Sequence, residues 1–277
     1  MNLKRLLTGI IGFPIVLVFL ILSNKYIVDS VMAIVAIISV YEYIKCAKNK
    51  GIKIISWLGY VLCLLVAFVH ILPNNLTLII VVSYPILIFI LFLHVILTNM
   101  EINFRDISFS LFGYLYIIGF IMFFVLVYGT ENFAWNLTGK IAIWYVLFPS
   151  WGTDTVAYIV GKNFGKHKFS KVSPNKTVEG CIGGMFGAVI GGLIFTFCIN
   201  KYLGTFVPYS FATITLAILS IIGQIGDFSA SVVKRYFDVK DYSNLFPGHG
   251  GMLDRIDSII FTAPFAYVIL IISSLII

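Results

Sequence analysis

The sequence predicts an all-α integral membrane protein, a polytopic helical bundle of about nine transmembrane helices, N-in/C-out. Three observations carry that prediction. Hydrophobic residues make up 60% of the 277 and charged residues only 11%, with a mean hydropathy of +1.02, far from the composition of a soluble domain. The apolar residues gather into runs long enough to cross about 30 Å of hydrocarbon. The basic residues fall mainly in alternate gaps between those runs.

In chain order the runs cover approximately 6–23, 27–44, 54–72, 76–98, 107–128, 140–160, 180–199, 207–226 and 256–277. The first is apolar nearly throughout from Leu6 to Leu22 and is followed by further spans, so it reads as an uncleaved helix rather than a signal peptide. With the N-terminus inside, only Lys25, Lys140 and Lys201 of the 19 Lys and Arg residues fall outside, as the positive-inside rule requires. The cluster Lys45, Lys48, Lys50 and Lys53 reads as part of that topology signal. Pro14, Pro85 and Pro264 lie within spans and are expected to kink them. Gly180, Gly183, Gly184, Gly187 and Gly191 recur at helical spacing, which suits close helix packing within the bundle or, alternatively, a homodimer. The chain divides into N-terminal transmembrane helices, 1–139, and a C-terminal region, 140–277, carrying the cytoplasmic-side loops 161–179 and 227–255.

Composition also excludes several functions. Cys46, Cys63, Cys181 and Cys198 lie far apart without a CxxC pair, so they read as reduced, buried small hydrophobes and not as a zinc site. The net charge of +7 sits in short loops beside apolar runs, where anionic headgroups account for it and nucleic acid does not.

Acidic groups at hydrocarbon depth are expensive and therefore informative. Asp154 and Asp227 stand near the predicted cytoplasmic ends of their helices, whereas Glu42, between Tyr41 and Tyr43, reads as reaching the interface. The 161–180 segment mixes five lysines with Ser173, Thr177 and flexible glycines, donors that suit a polyphosphate, although its spacing is not that of a Walker A loop. The richest segment runs from Gly226-Asp227 through Ser231, Lys234-Arg235, Lys240-Asp241 and Pro247-Gly248-His249-Gly250-Gly251 to Asp254-Arg255-Ile256-Asp257. Carboxylates recruit Mg²⁺, Lys and Arg hold phosphate oxygens, and glycines let backbone amides approach an anion. If 231–238 and 252–258 are helical, Ser231 and Lys234 share one face and Asp254 and Asp257 another. A charged amphipathic hairpin would account for the charges but not for the Pro-Gly-His-Gly-Gly run.

Over Ser231–Asp257 the sequence resembles the signature of the phosphatidate cytidylyltransferase (CDP-diglyceride synthase) family at every fixed position, and Asp154 and the Ser173–Gly180 segment resemble it too. Two positions depart from the common bacterial pattern, with Ala230 where many members have Glu and Ser243 where Gly is more usual. The resemblance implies condensation of CTP with phosphatidate to CDP-diacylglycerol and pyrophosphate, in phospholipid biosynthesis, on the cytoplasmic side of a bacterial-type cell membrane. It implies Mg²⁺, with or without a second ion, on Asp227 and Asp254. Lys234, Arg235, Lys240, Asp241, His249 and Arg255 are the expected catalytic residues. Asp154, Ser173, Lys176, Thr177, Ser231, Gly250, Gly251 and Asp257 are the expected substrate contacts. The expected partners are CTP, phosphatidate and membrane lipids. Rival readings are another transferase joining a nucleotide to a lipid phosphate, and a secondary transporter, which would need inverted repeats that the sequence does not display.

Overall fold

A computed structural model describes residues 3–71, 76–170 and 172–276, with the backbone alone at 3–11, 13 and 76–84. The described residues are mostly helical, without a strand among them. In order it forms α1 (Leu3–Leu22), α2 (Lys25–Lys48), α3 (Ser56–Val66), α4 (Leu76–Leu97), α5 (Phe104–Gly113) and α6 (Phe120–Gly129). After α6 come two single-turn helices, α7 (Gly139–Ala142) and α8 (Trp144–Leu147), and then α9 (Thr153–Phe164), α10 (Val178–Tyr202), α11 (Tyr209–Tyr236) and α12 (Leu253–Ile276). Among the described residues five helical stretches are long and apolar enough to cross a membrane: Lys25–Lys48, Phe104–Gly129, Val178–Tyr202, Tyr209–Tyr236 and Leu253–Ile276.

The expected spans differ from the helices in instructive places. The 107–128 span is a continuous coil in which a π-helical turn, Tyr114–Gly119, joins α5 to α6. The 140–160 span is broken, and a second π turn, Phe148–Gly152, leads into α9. Pro149 sits in that turn, where its missing amide donor favours a locally widened ladder. The 227–255 loop is narrower than expected, because α11 runs on to Tyr236 and α12 begins at Leu253.

The chain folds as two compact units, Met1–Val125 with Phe237–Leu253, and Leu126–Tyr236 with Asp254–Ile277. In the first, aromatic rings lie on glycines: Tyr43 covers Gly113 and Tyr114 covers Gly59, each so close that a Cβ would clash. The Tyr43 hydroxyl donates to the Phe109 carbonyl at 2.9 Å, and its ring meets Phe237 edge-on. Buried acids here each have a dedicated donor. Asp29 is held by the His70 ring and amide, and Asp106 closes a capping box with Asn103 while accepting from the Lys53 amide at 2.9 Å.

In the second unit α10 lies along α9 and against α11. The glycine stripe makes this possible. A Cβ on Gly184 would lie 2.8 Å from the Thr153 carbonyl, and one on Gly183 would lie 2.7 Å from Val160. Gly183 and Gly184 are therefore used for packing within the unit. Hydroxyl pairs cross between helices, Thr153 with Ser220 at 2.6 Å and Tyr145 with Thr196 at 2.8 Å, a form of adhesion that works where apolar contact alone gives little preference over lipid. All four cysteines are free, as expected, but only Cys46 and Cys63 are buried; Cys198 is exposed on α10.

Gly184→Ala is expected to lower the detergent-solubilised protein's thermal stability by about 1–3 kcal/mol through overpacking. Gly191→Ala, whose methyl would approach only Phe148 at 4.0 Å, should melt like the parent. Equal melting of the two variants would refute the close approach of α9 and α10.

Candidate functional site

The last three turns of α11 carry Asp227, Ser231 and Lys234 at positions i, i+4 and i+7, one stripe of a helix. The first turn of α12 presents Asp254, and the start of the next presents Asp257. Two glycines let these helices approach. A Cβ on Gly223 would lie 3.1 Å from the Thr262 hydroxyl, and one on Gly226 would run into Phe261 and lie 3.1 Å from the Asp257 carbonyl. The result is a buried ion pair, Lys234 Nζ to Asp254 Oδ1 at 2.7 Å, with the two residues only 9% and 7% exposed.

A second ion pair stands beside it, Lys176 with Asp227. Lys176 belongs to the 165–177 connection, which folds as a hairpin: the Phe169 amide donates to the Lys176 carbonyl at 3.0 Å and the Val178 amide to the His167 carbonyl at 2.9 Å. The Lys176 ammonium also lies 4.6 Å from the centre of the Phe228 ring, and Phe228 stacks on Phe169. Glu179 fastens the hairpin base by accepting from the amides of Lys166 and His167 and from His167 Nδ1. Thr177 caps α10 by accepting from the Gly180 amide at 3.1 Å. Ser173 gives its carbonyl to the Lys176 amide, and Lys171 lies outside the described residues.

Asp154, exposed in the first turn of α9, lies within electrostatic reach of Asp227, Lys176 and Arg255, and Asp257 within reach of Asp227, Lys234 and Asp154. Four carboxylates thus meet three cations. Among the described residues no three His, Cys, Asp or Glu side chains converge as a ready-made ligand set, and Asp227 and Asp254 are paired with lysines. The donor set nevertheless fits magnesium in kind, since the atoms it offers a cation are all carboxylate oxygens.

Of the remaining predicted residues all but Arg235 lie in the first unit. Lys240 and Asp241 are exposed on the 237–252 connection, and Arg235 is exposed near the end of α11 in the second unit. Gly248 and Gly250 both take φ of +81°, a backbone that side chains resist, and they form a turn in which the His249 amide donates to Phe246 O and the Phe246 amide to Gly250 O. Glu42 organises the segment that follows. Far from reaching the interface, it is 2% exposed and accepts from the Ser243 hydroxyl at 2.6 Å and from the amides of Met252 and Leu253 at 2.9 Å each. A Cβ on Gly251 would lie 2.6 Å from its carboxylate oxygens. Ser243, unusual against the common family pattern, is therefore a partner of Glu42. The signal in the sequence was the depth of Glu42 in an apolar run; its neighbouring tyrosines and Lys45 disguised it. Ala230 is fully buried, a setting that suits its small side chain.

The sequence matches the Cytidylyltransferase family over residues 3–273. It is 31% identical to the phosphatidate cytidylyltransferase of Bacillus subtilis (strain 168) over 276 residues, covering 96% of this chain and 97% of that protein. It is 34% identical to the protein of the same name from Staphylococcus saprophyticus over 272 residues, 96% of this chain and 98% of the relative. The corresponding protein of Staphylococcus haemolyticus is 39% identical over 185 residues, 66% of each chain.

Replacing Glu42 by alanine should leave two buried amides without an acceptor and lower stability by about 3 kcal/mol. Hydrogen exchange at Met252 and Leu253 should accelerate markedly, and Ser243→Ala should show a weaker form of the same change. Unaltered protection in Glu42→Ala would show that the carboxylate does not organise the loop.

Proposed function

The chain belongs to the cytidylyltransferase family, and from that premise we infer that it condenses CTP with phosphatidate, releasing CDP-diacylglycerol and pyrophosphate. The observation that carries the reading is the pairing of Lys176 with Asp227 and of Lys234 with Asp254 in one polar cluster of an otherwise apolar chain. Lysines held on carboxylates are positioned to exchange those partners for phosphate oxygens when a triphosphate arrives.

In the proposed reaction a phosphatidate phosphate oxygen attacks the α-phosphorus of CTP. The bond from that phosphorus to the bridging oxygen breaks in line, and pyrophosphate leaves with the electron pair. The nucleophile is already ionised near neutral pH, so no general base is required. Catalysis then consists of positioning and charge neutralisation. Lys176, Lys234, Arg235, Lys240 and Arg255 are assigned to phosphate oxygens, and His249 with the amides of Gly250 and Gly251 to hydrogen bonds with the leaving group. Ser173, Ser231 and Thr177 are assigned as hydroxyl donors to substrate; Thr177 keeps its own proton to give while its oxygen caps α10. Asp227 and Asp254 are assigned to hold Mg²⁺, which would supply phosphate neutralisation when bound, with Asp241 and Asp257 as second-rank candidates for the same role and Asp154 assigned to the metal or to ordering Lys176.

The same proposal includes nine spans, N-in/C-out, and an active site on the cytoplasmic side, supported by the distribution of Lys and Arg along the sequence.

Purified protein with Mg²⁺ is expected to release pyrophosphate from CTP plus phosphatidate. Asp227→Asn and Asp254→Asn, retaining the parental melting temperature, should each fall by about 10²–10³-fold. Turnover that persisted in both variants would remove the metal assignment. A folded parent that turned over another nucleotide or an isoprenoid phosphate, and not these substrates, would replace the reaction by that of a different lipid transferase.

A further inference from the structure

Outside the acid–base cluster the first unit contains a cavity of about 400 Å³ where α2 turns into α3. Lys45, Lys48 and Lys53 line it together with Tyr41, Ser56 and Tyr60, and no carboxylate does. Lys45 and Lys48 are three residues apart in the last turn of α2 and share a face. The Lys53 ammonium donates to the Glu101 carbonyl at 3.2 Å, which neutralises nothing. Among the described residues neither Lys45 nor Lys48 enters an ion pair, whereas nearby Lys50 pairs with Asp238. Opposite them α3 begins at Ser56 without a side-chain cap, leaving first-turn amides in need of acceptors. Three cations and an uncapped helix start around one cavity constitute a site for an anion.

The surroundings specify which kind. α2 is long and apolar enough to span a membrane, so lysines in its last turn stand at headgroup depth. Tyr41 and Trp57, 56% and 49% exposed, mark the same level, since exposed aromatic residues favour the boundary between hydrocarbon and water. Isoleucines complete the cavity wall, and they suit the glycerol end of a lipid better than a fully hydrated ion. We propose that this cavity binds a phosphate group, carried by an anionic phospholipid of the surrounding leaflet, at a site separate from the acid–base cluster of α9 to α12.

Native mass spectrometry of the full chain in detergent tests this with phosphatidylglycerol, which presents the phosphate without being phosphatidate. Phosphatidylcholine serves as the zwitterionic comparison and inorganic phosphate as a competitor. The double variant Lys45→Gln/Lys48→Gln is expected to bind phosphatidylglycerol about thirtyfold more weakly, each basic residue near a membrane surface changing anionic-lipid association about fivefold. Lys45→Arg/Lys48→Arg should restore binding, Lys25→Gln at the other end of α2 should leave it unchanged, and phosphatidylcholine should bind parent and variants alike. Displacement of the lipid by millimolar inorganic phosphate, in the parent alone, would support the site and assign its phosphate to solution. Phosphatidylglycerol held as tightly by the Gln double variant as by the parent would overturn the proposal.

Discussion

A carboxylate removed from water must be given donors, and in a chain this apolar that requirement dictates where acids can stand. The protein meets it in two chemically different ways. In the first unit Asp29 is held by the His70 ring and amide, Glu42 by two backbone amides and the Ser243 hydroxyl, and Asp106 by the amides of Lys53 and Asn103. In the second, Asp227 and Asp254 are held by the ammonium groups of Lys176 and Lys234. Amides are fixed in the backbone and cannot swing away as a side chain can, so the first arrangement is permanent. A lysine on a flexible stem can change partners, so the second is exchangeable, as phosphate chemistry requires.

Helix approach creates this second arrangement. Gly223 and Gly226 remove the side chains that would hold α12 away from α11, and Gly183 and Gly184 do the same between α10 and α9. Hydroxyl pairs then add direction to contacts that apolar packing alone would leave slippery. Four carboxylates can be gathered in one unit because glycines leave room there for the side chains of the facing helices.

Much of this was legible in the sequence, and for physical reasons. Periodicity placed Ser231 with Lys234 and Asp254 with Asp257, since both pairs lie on helices whose faces follow from spacing alone. Close packing at Gly180–Gly187 followed from residue size. Less legible were features set by partners distant in sequence. Glu42 meets Ser243 and Met252 some two hundred positions away, and nothing local distinguishes such an acid from one reaching for water. Hydropathy windows also merge helix with turn, which is why the 140–160 run concealed three helical pieces and a π turn. The end of α11 was misplaced because its charged final turns resemble a loop in composition while remaining helical.

Glu42 has a further implication for how far the family signature can be treated as a module. The stretch from Ser231 to Asp257 carries the family signature, yet the segment that follows its glycine turn is held by an acid encoded in the second helix of the chain. A chain shortened to begin at Leu126 would keep the whole signature and lose the acceptor for Met252 and Leu253. The signature is therefore not a transferable cassette, and grafting it onto another scaffold would demand an equivalent buried carboxylate from a distant segment.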